Sequence, residues 1–98
     1  MSQLNPSAVQ IPSIVDEMMV IEIKDNTFSD KYLKYDITDA RKRICRKGQF
    51  RGQYIQLRMT HLQDGKYAIN LHSSDADNCS FLFEKISGFP PRHYRFSL

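Results

Sequence analysis

Residues 44–52 read Ile-Cys-Arg-Lys-Gly-Gln-Phe-Arg-Gly, and within them Cys45-x-x-Gly48-x-x-Arg51 spaces a thiol, a glycine and a guanidinium at regular intervals. A thiolate is a nucleophile toward phosphorus, a glycine lets backbone N–H groups close around a phosphate, and an arginine forks two phosphate oxygens. The same stretch belongs to a run, Arg41 to Arg51, that carries six Lys or Arg in eleven residues. That density of charge could neutralise several phosphates without any covalent chemistry. Nucleophilic attack on a phosphate ester and an electrostatic grip on an anion are therefore the two chemistries to weigh.

The Cys45, Gly48 and Arg51 skeleton resembles the phosphate loop of the cysteine phosphatases, and the resemblance implies Cys45 as nucleophile and Arg51 as the phosphate-holding group. It spans nine residues. Ile44 stands where that family has His, and Gly52 stands where it has Ser or Thr. The family loop also follows a buried strand and opens a helix whose N-terminus faces the phosphate. Here a basic, helix-like run precedes the cysteine and a strand pattern follows it. On the residues themselves, Cys45 reads as an inward-pointing residue near a helix end and Gly48 as the residue just past that end. A cysteine-dependent phosphatase is thus the remote alternative, and no enzymatic activity is expected.

Metal and cofactor chemistry has less support. His61, His72, His93, Cys45 and Cys79 form no close pair of the C-x-x-C or H-x-x-x-H kind. Neither a G-x-x-x-x-G-K-[ST] nor a G-x-G-x-x-G motif occurs. No metal and no cofactor are expected.

Charge is more informative than motif. The net charge is +3 over 98 residues, but residues 1–39 hold three Lys against seven acids, whereas residues 40–72 hold eight basic residues against Asp64 alone. Such asymmetry points the middle of the chain toward an anionic partner. The expected contact set is Arg41, Lys42, Arg43, Arg46, Lys47 and Arg51, with Tyr54, Arg58, His72 and Arg95 as a secondary surface on an open sheet face. A small non-enzymatic domain that binds nucleic acid, RNA ahead of DNA, or a phosphate-bearing ligand is the leading expectation. The alternative is a homodimeric or partner-binding adaptor whose basic patch meets an acidic protein and whose Val20 and Tyr54 seed a contact. No apolar run reaches membrane-spanning length, and two cysteines 34 positions apart fit a reducing compartment. A cytoplasmic location is expected, with the nucleus left open.

The elements that would position these residues follow from periodicity. Residues 1–15, with Pro6 and Pro12, read as a flexible arm, and 16–98 as one α+β domain. Residues 18–24 alternate as a strand with Met19, Ile21 and Ile23 on one side. From 26 to 47, Leu33, Ile37, Ala40 and Ile44 fall on one helical stripe, while "KYLKYDI" also alternates as a strand; under either reading Ala40 to Lys47 is helical. Residues 53–72 read as a hairpin closed by Gln63-Asp64-Gly65, with Ile55, Leu57 and Met59 on the face of Tyr67, Ile69 and Leu71. Residues 76–87 read as a second helix, with the strand "SFLFEKI" as its rival, and 92–98 as a last strand. The order strand, helix, hairpin, helix, strand predicts a ferredoxin-like split βαβ sandwich, an antiparallel sheet with two helices on one face. Two hairpins plus two helices is the alternative.

Overall fold

Alternation with a period of two, rather than any helical stripe, organises this chain. The computed structural model describes residues 6–24, 31–73 and 78–88, and among them there is no α-helix. After a single 3₁₀ turn, Pro6–Ala8, come eight strands: β1 Val9–Gln10, β2 Ile14–Val15, β3 Met18–Ile23, β4 Leu33–Asp39, β5 Ile44–Phe50, β6 Tyr54–Arg58, β7 Gly65–His72 and β8 Cys79–Lys85. They form a three-stranded sheet in the order β1-β3-β6 and a five-stranded sheet in the order β2-β8-β7-β4-β5. All pairings are antiparallel except β2 with β8. The chain crosses between sheets after β1, β2, β3, β5 and β6, a Greek-key path that yields a β-sandwich.

The core lies between the sheets. Met19, Ile21 and Ile23 of β3 and Ile55 and Leu57 of β6 line one inner face; Leu33, Tyr35 and Ile37 of β4, Ile69 and Leu71 of β7 and Phe83 of β8 line the other. The register sets these residues side by side, Ile37 opposite Ile69 and Tyr35 opposite Leu71. Directly opposed residues share a face, so each row lies on one side of its sheet, facing either the core or solvent. Tyr67 stacks on Phe83 with ring centroids 5.6 Å apart.

The ferredoxin-like α+β expectation is therefore overturned, and three local readings account for it. Residues 33–39 form β4, with Leu33, Tyr35 and Ile37 buried, so the helical stripe there was a coincidence of spacing. Residues 40–47 are not helical: Ala40–Arg43 make a turn, Lys42 takes a left-handed conformation (φ 66°), and β5 begins at Ile44. Asp39 accepts the backbone N–H groups of Arg41 and Arg43 at 2.8 and 3.0 Å, closing the turn with the same kind of bond a helix cap would make. Residues 79–85 form β8 rather than a helix, which places Lys85 on the inner face at 3% exposure.

Nor do β6 and β7 form a hairpin. They belong to different sheets, and residues 59–64 carry the chain across the end of the sandwich. Buried Met59 and Leu62 anchor that corner, Tyr67 donates its hydroxyl to the Gln63 carbonyl at 2.6 Å, and the Lys85 ammonium donates to the Leu62 carbonyl at 3.2 Å. Asp64 accepts from both the N–H and the hydroxyl of Ser87, which holds its carboxyl below the usual pKa. Residues 9–15, expected within a flexible arm, carry β1 and β2, with Val9 and Val15 buried. The strand expected at 92–98 lies outside the described residues.

The corner bond is a stability element in its own right. Tyr67→Phe keeps the ring stack and deletes only the hydroxyl donor, so unfolding free energy should fall by about 1 kcal/mol. Thermal denaturation followed by circular dichroism should show a Tm lower by about 4–8 °C.

Candidate binding surface

Strand β5 is the last strand of its sheet, and among the described residues nothing pairs with its outer edge. Its register against β4 runs Leu33–Phe50, Lys34–Gln49, Tyr35–Gly48, Asp36–Lys47 and Ile37–Arg46, then shifts to Thr38–Ile44. Cys45 is thereby the extra residue of a β-bulge, exposed rather than inward, and its thiol lies 3.6 Å from the Arg43 carbonyl. Gly48 is not a helix cap. It lies in the strand where the Tyr35 ring crosses it, and a Cβ there would meet the ring at 3.1 Å.

This geometry takes the phosphate-loop spacing apart. Six extended residues separate Cys45 from Arg51 by about 20 Å at roughly 3.3 Å per residue. The thiol, the glycine and the guanidinium thus do not converge on one point. The intervening backbone N–H groups lie along a strand and do not encircle an anion.

Of the basic cluster, Arg41, Lys42 and Arg43 occupy the β4–β5 turn, Arg46 and Lys47 lie on β5, and Arg51 follows it. Their positions differ in kind. Arg43 is tied to Asp39 at 3.0 Å, and its donors together with that of Arg41 hold the Asp39 carboxyl below the usual range. Arg46 turns to the inner side of the sandwich, where it donates to the Arg58 carbonyl of the opposite sheet and lies over the Tyr35 ring. It joins the two sheets at their open edge. Arg51 lies 5.2 Å from the Tyr32 ring centroid. Arg41, Lys42, Lys47 and Arg51 are exposed, and no described carboxylate lies within ion-pair distance of them.

The secondary surface does not assemble. Tyr54 and Arg58 lie on β6, on the outer face of the three-stranded sheet, and Tyr54 donates to Glu22 at 3.1 Å. His72 is on β7, on the outer face of the five-stranded sheet. Arg95 lies outside the described residues.

Sequence reasoning missed the group around Asp36. Asp36 accepts from Asn70 at 2.5 Å and from His72 Nε2 at 2.9 Å, and Ser80 donates to the Asn70 carbonyl oxygen at 2.7 Å. The outward-facing positions of β4, β7 and β8 hold these four residues, so alternation of polar residues was the available signal, usable only with the correct strand order. Burial alone would raise the Asp36 pKa, but the donors Asn70 and His72 and the charge of Lys47 outweigh it and bring it down. The hydrogen bond to Asn78, then that to Asp36, raises the His72 pKa against a smaller effect of burial. Lys34, Lys47, His72, Gln49 and Asp36 border a shallow cleft of ≈ 540 Å³ beside the β5 edge.

No family model and no curated protein matches this sequence. Among solved structures, a DUF3244 family protein from Bacteroides vulgatus, described as having an immunoglobulin-like β-sandwich fold, superposes with a TM-score of 0.65 at 12% identity, over 81% of this chain and 85% of the other. The fold is an immunoglobulin-like sandwich. Within that frame the Tyr67 hydroxyl bond to the chain four residues upstream is a tyrosine corner, placed at the start of the strand that follows the inter-sheet crossing. Gly65-x-Tyr67 after an alternating run was its trace in the sequence.

The His72–Asp36 pair should leave a pH signature in stability. The raised folded pKa of His72 means that its contribution is complete below the unfolded value near 6.5 and disappears as pH rises through the folded value. The lowered folded pKa of Asp36 means that its contribution is complete above 3.8 and disappears as pH falls through the folded value. His72→Gln should therefore cost about 0.5–1 kcal/mol between these limits, near pH 5. The gap between wild-type and variant melting curves should narrow by pH 9.

Proposed function

We propose that this chain is a non-catalytic binding module that takes an acidic polypeptide, in extended form, along the exposed edge of β5. The observation that carries this reading is a seven-residue strand with an open hydrogen-bonding edge, flanked by Lys42, Lys47 and Arg51, none within ion-pair distance of a described carboxylate. An added strand would satisfy the edge N–H and C=O groups, and its carboxylates would meet Lys47 on the strand and Arg51 just past its end. Lys34 and Lys47 beside the cleft extend the positive border over the sheet.

Charge also restricts the choice of partner. Two copies of this edge would set Lys47 and Arg51 against like charges, so the edge disfavours pairing with itself and admits an acidic strand. Nucleic acid competes for the same charges, but the aromatic and basic groups it would use lie apart, and Tyr54 is bonded to a carboxylate that repels phosphate.

The test is fluorescence anisotropy with a labelled peptide of alternating Glu and Val. Binding should weaken with salt and should fall about tenfold or more in the Lys42→Glu/Lys47→Glu variant, two like-charge contacts replacing two attractive ones. A peptide N-methylated at alternate backbone positions should fail to bind. Equal binding of the methylated peptide, or tighter binding of a single-stranded RNA than of the acidic peptide, would overturn the proposal.

A further inference from the structure

The opposite side of the sandwich carries a different surface. Seven large hydrophobic residues are exposed among the described ones, and four of them, Ile14, Met18, Val20 and Tyr54, share one patch. Met18 and Val20 are 40% and 42% exposed and Tyr54 is 70% exposed. The patch covers the outer face of β3 and β6 and is bordered by Pro12 and Ile14 where the chain passes from β1 to β2, around a depression of ≈ 440 Å³. An apolar cluster with a polar border, on the only face of a three-stranded sheet that does not enter the core, marks an interaction site.

The register gives this face an internal order. Across β3 and β6 the outward rows are Met18–Arg58, Val20–Gln56 and Glu22–Tyr54. Val20 and Gln56 are thus midway between a cationic row and an anionic, aromatic row, each about 7 Å away along the strands. A two-fold axis lying in the plane of contact, along the Val20–Gln56 row, reverses the strand direction of a second copy. It brings Val20 over Val20 of the partner copy, and the Glu22–Tyr54 row of one copy over the Met18–Arg58 row of the other. Each Arg58 guanidinium then faces a tyrosine ring and, one strand spacing away (about 4.8 Å), a carboxylate. Glu22 spends one acceptor on the Tyr54 hydroxyl at 3.1 Å and keeps further lone pairs for an incoming guanidinium.

We infer that this face is an isologous homodimer interface, closed by Val20 on the axis and by reciprocal Arg58–Glu22 contacts at its two ends. The occupant is a second copy because the charges of the patch are self-complementary under that one axis. Neither end complements itself, whereas Val20 on the axis meets its own image. This surface is separate from the β5 edge, so a dimer presents two such edges. The patch is at the small end for a stable interface, so association should be reversible over roughly the micromolar range.

Sedimentation equilibrium of the full chain tests it, with circular dichroism to verify that each variant is folded. Wild type should show a concentration-dependent monomer–dimer equilibrium. Val20→Glu places two carboxylates against each other on the axis and should weaken dimerisation by about tenfold or more. Glu22→Arg and Arg58→Glu should each weaken it, and the combined variant should restore it, because the exchange rebuilds both end contacts with signs reversed. Lys42→Glu/Lys47→Glu should dimerise as wild type does, which separates this interface from the peptide-binding edge. A wild-type protein that stays monomeric at roughly 1 mM, a Val20→Glu variant that dimerises as wild type does, or a combined variant no better than either single one would overturn the inference.

Discussion

Each sheet of this protein has one face made almost wholly of apolar residues, and neither such face can be left in water. Met19, Ile21 and Ile23 of the three-stranded sheet, and Ile37, Ile69 and Leu71 of the five-stranded one, are fully buried only because the two faces close on each other. At roughly 25 cal/mol per Å² of apolar surface, that closure is the dominant favourable term, and no disulfide supplements it. Everything exposed is then arranged by the same alternation. Residues one step along any strand from a core position must face solvent, and these are where Lys47, Asp36, Tyr54 and Val20 stand.

The ends and edges of the sandwich need separate devices, because closure leaves them open. At the end where β6 passes to β7, the tyrosine corner and the Lys85 ammonium hold the Leu62 and Gln63 carbonyls. At the β5 side, Arg46 reaches across from one sheet to the Arg58 carbonyl of the other. Arg46 thus does structural work that a reading of charge density alone assigns to a ligand. The remaining cations of the run are on the outside of that joint, which leaves the edge positively charged without loosening the core.

How far this was legible from the sequence depended on whether a local pattern had one physical meaning or two. Met19, Ile21 and Ile23 alternate in a run rich in β-branched and long apolar residues, and they occupy a strand in the structure as expected. Leu33, Ile37, Ala40 and Ile44 fit a helix by spacing, yet Tyr35 between the first two, buried and β-favouring, belongs to the period of two that prevails. Asp39 accepts backbone N–H groups either as a cap or in a turn, so its chemistry was readable but its geometry was not. The hairpin expected over 53–72 failed for a related reason. Two alternating runs around Asp64-Gly65 can lie in one sheet or in two, and only long-range partners, β3 for one and β4 and β8 for the other, decide between them. Lys85 disguised β8, since a buried lysine interrupts the apolar period. The basic cluster was visible as charge, but which members face outward depended on a bulge at Cys45 that no spacing announces.

The short strand β2 has a kinetic consequence. Ile14 pairs with Glu84 and Val15 with Lys85, so two residues near one end of the described chain are held by a strand seventy positions away. The Glu84 N–H donates to the Ser13 carbonyl and the Ile86 N–H to the Val15 carbonyl, so the five-stranded sheet acquires its last strand only once β8 is in place. Contacts of such high sequence separation carry the full entropy of closing the chain before they return any stabilisation. Folding should accordingly be slow for a domain of this size, in the range of roughly milliseconds to seconds typical of sandwiches. Until that late step the outer edge of β8 stays open, and it is this unfinished sheet, rather than the charged β5 edge, that exposes the chain to misassociation while it folds.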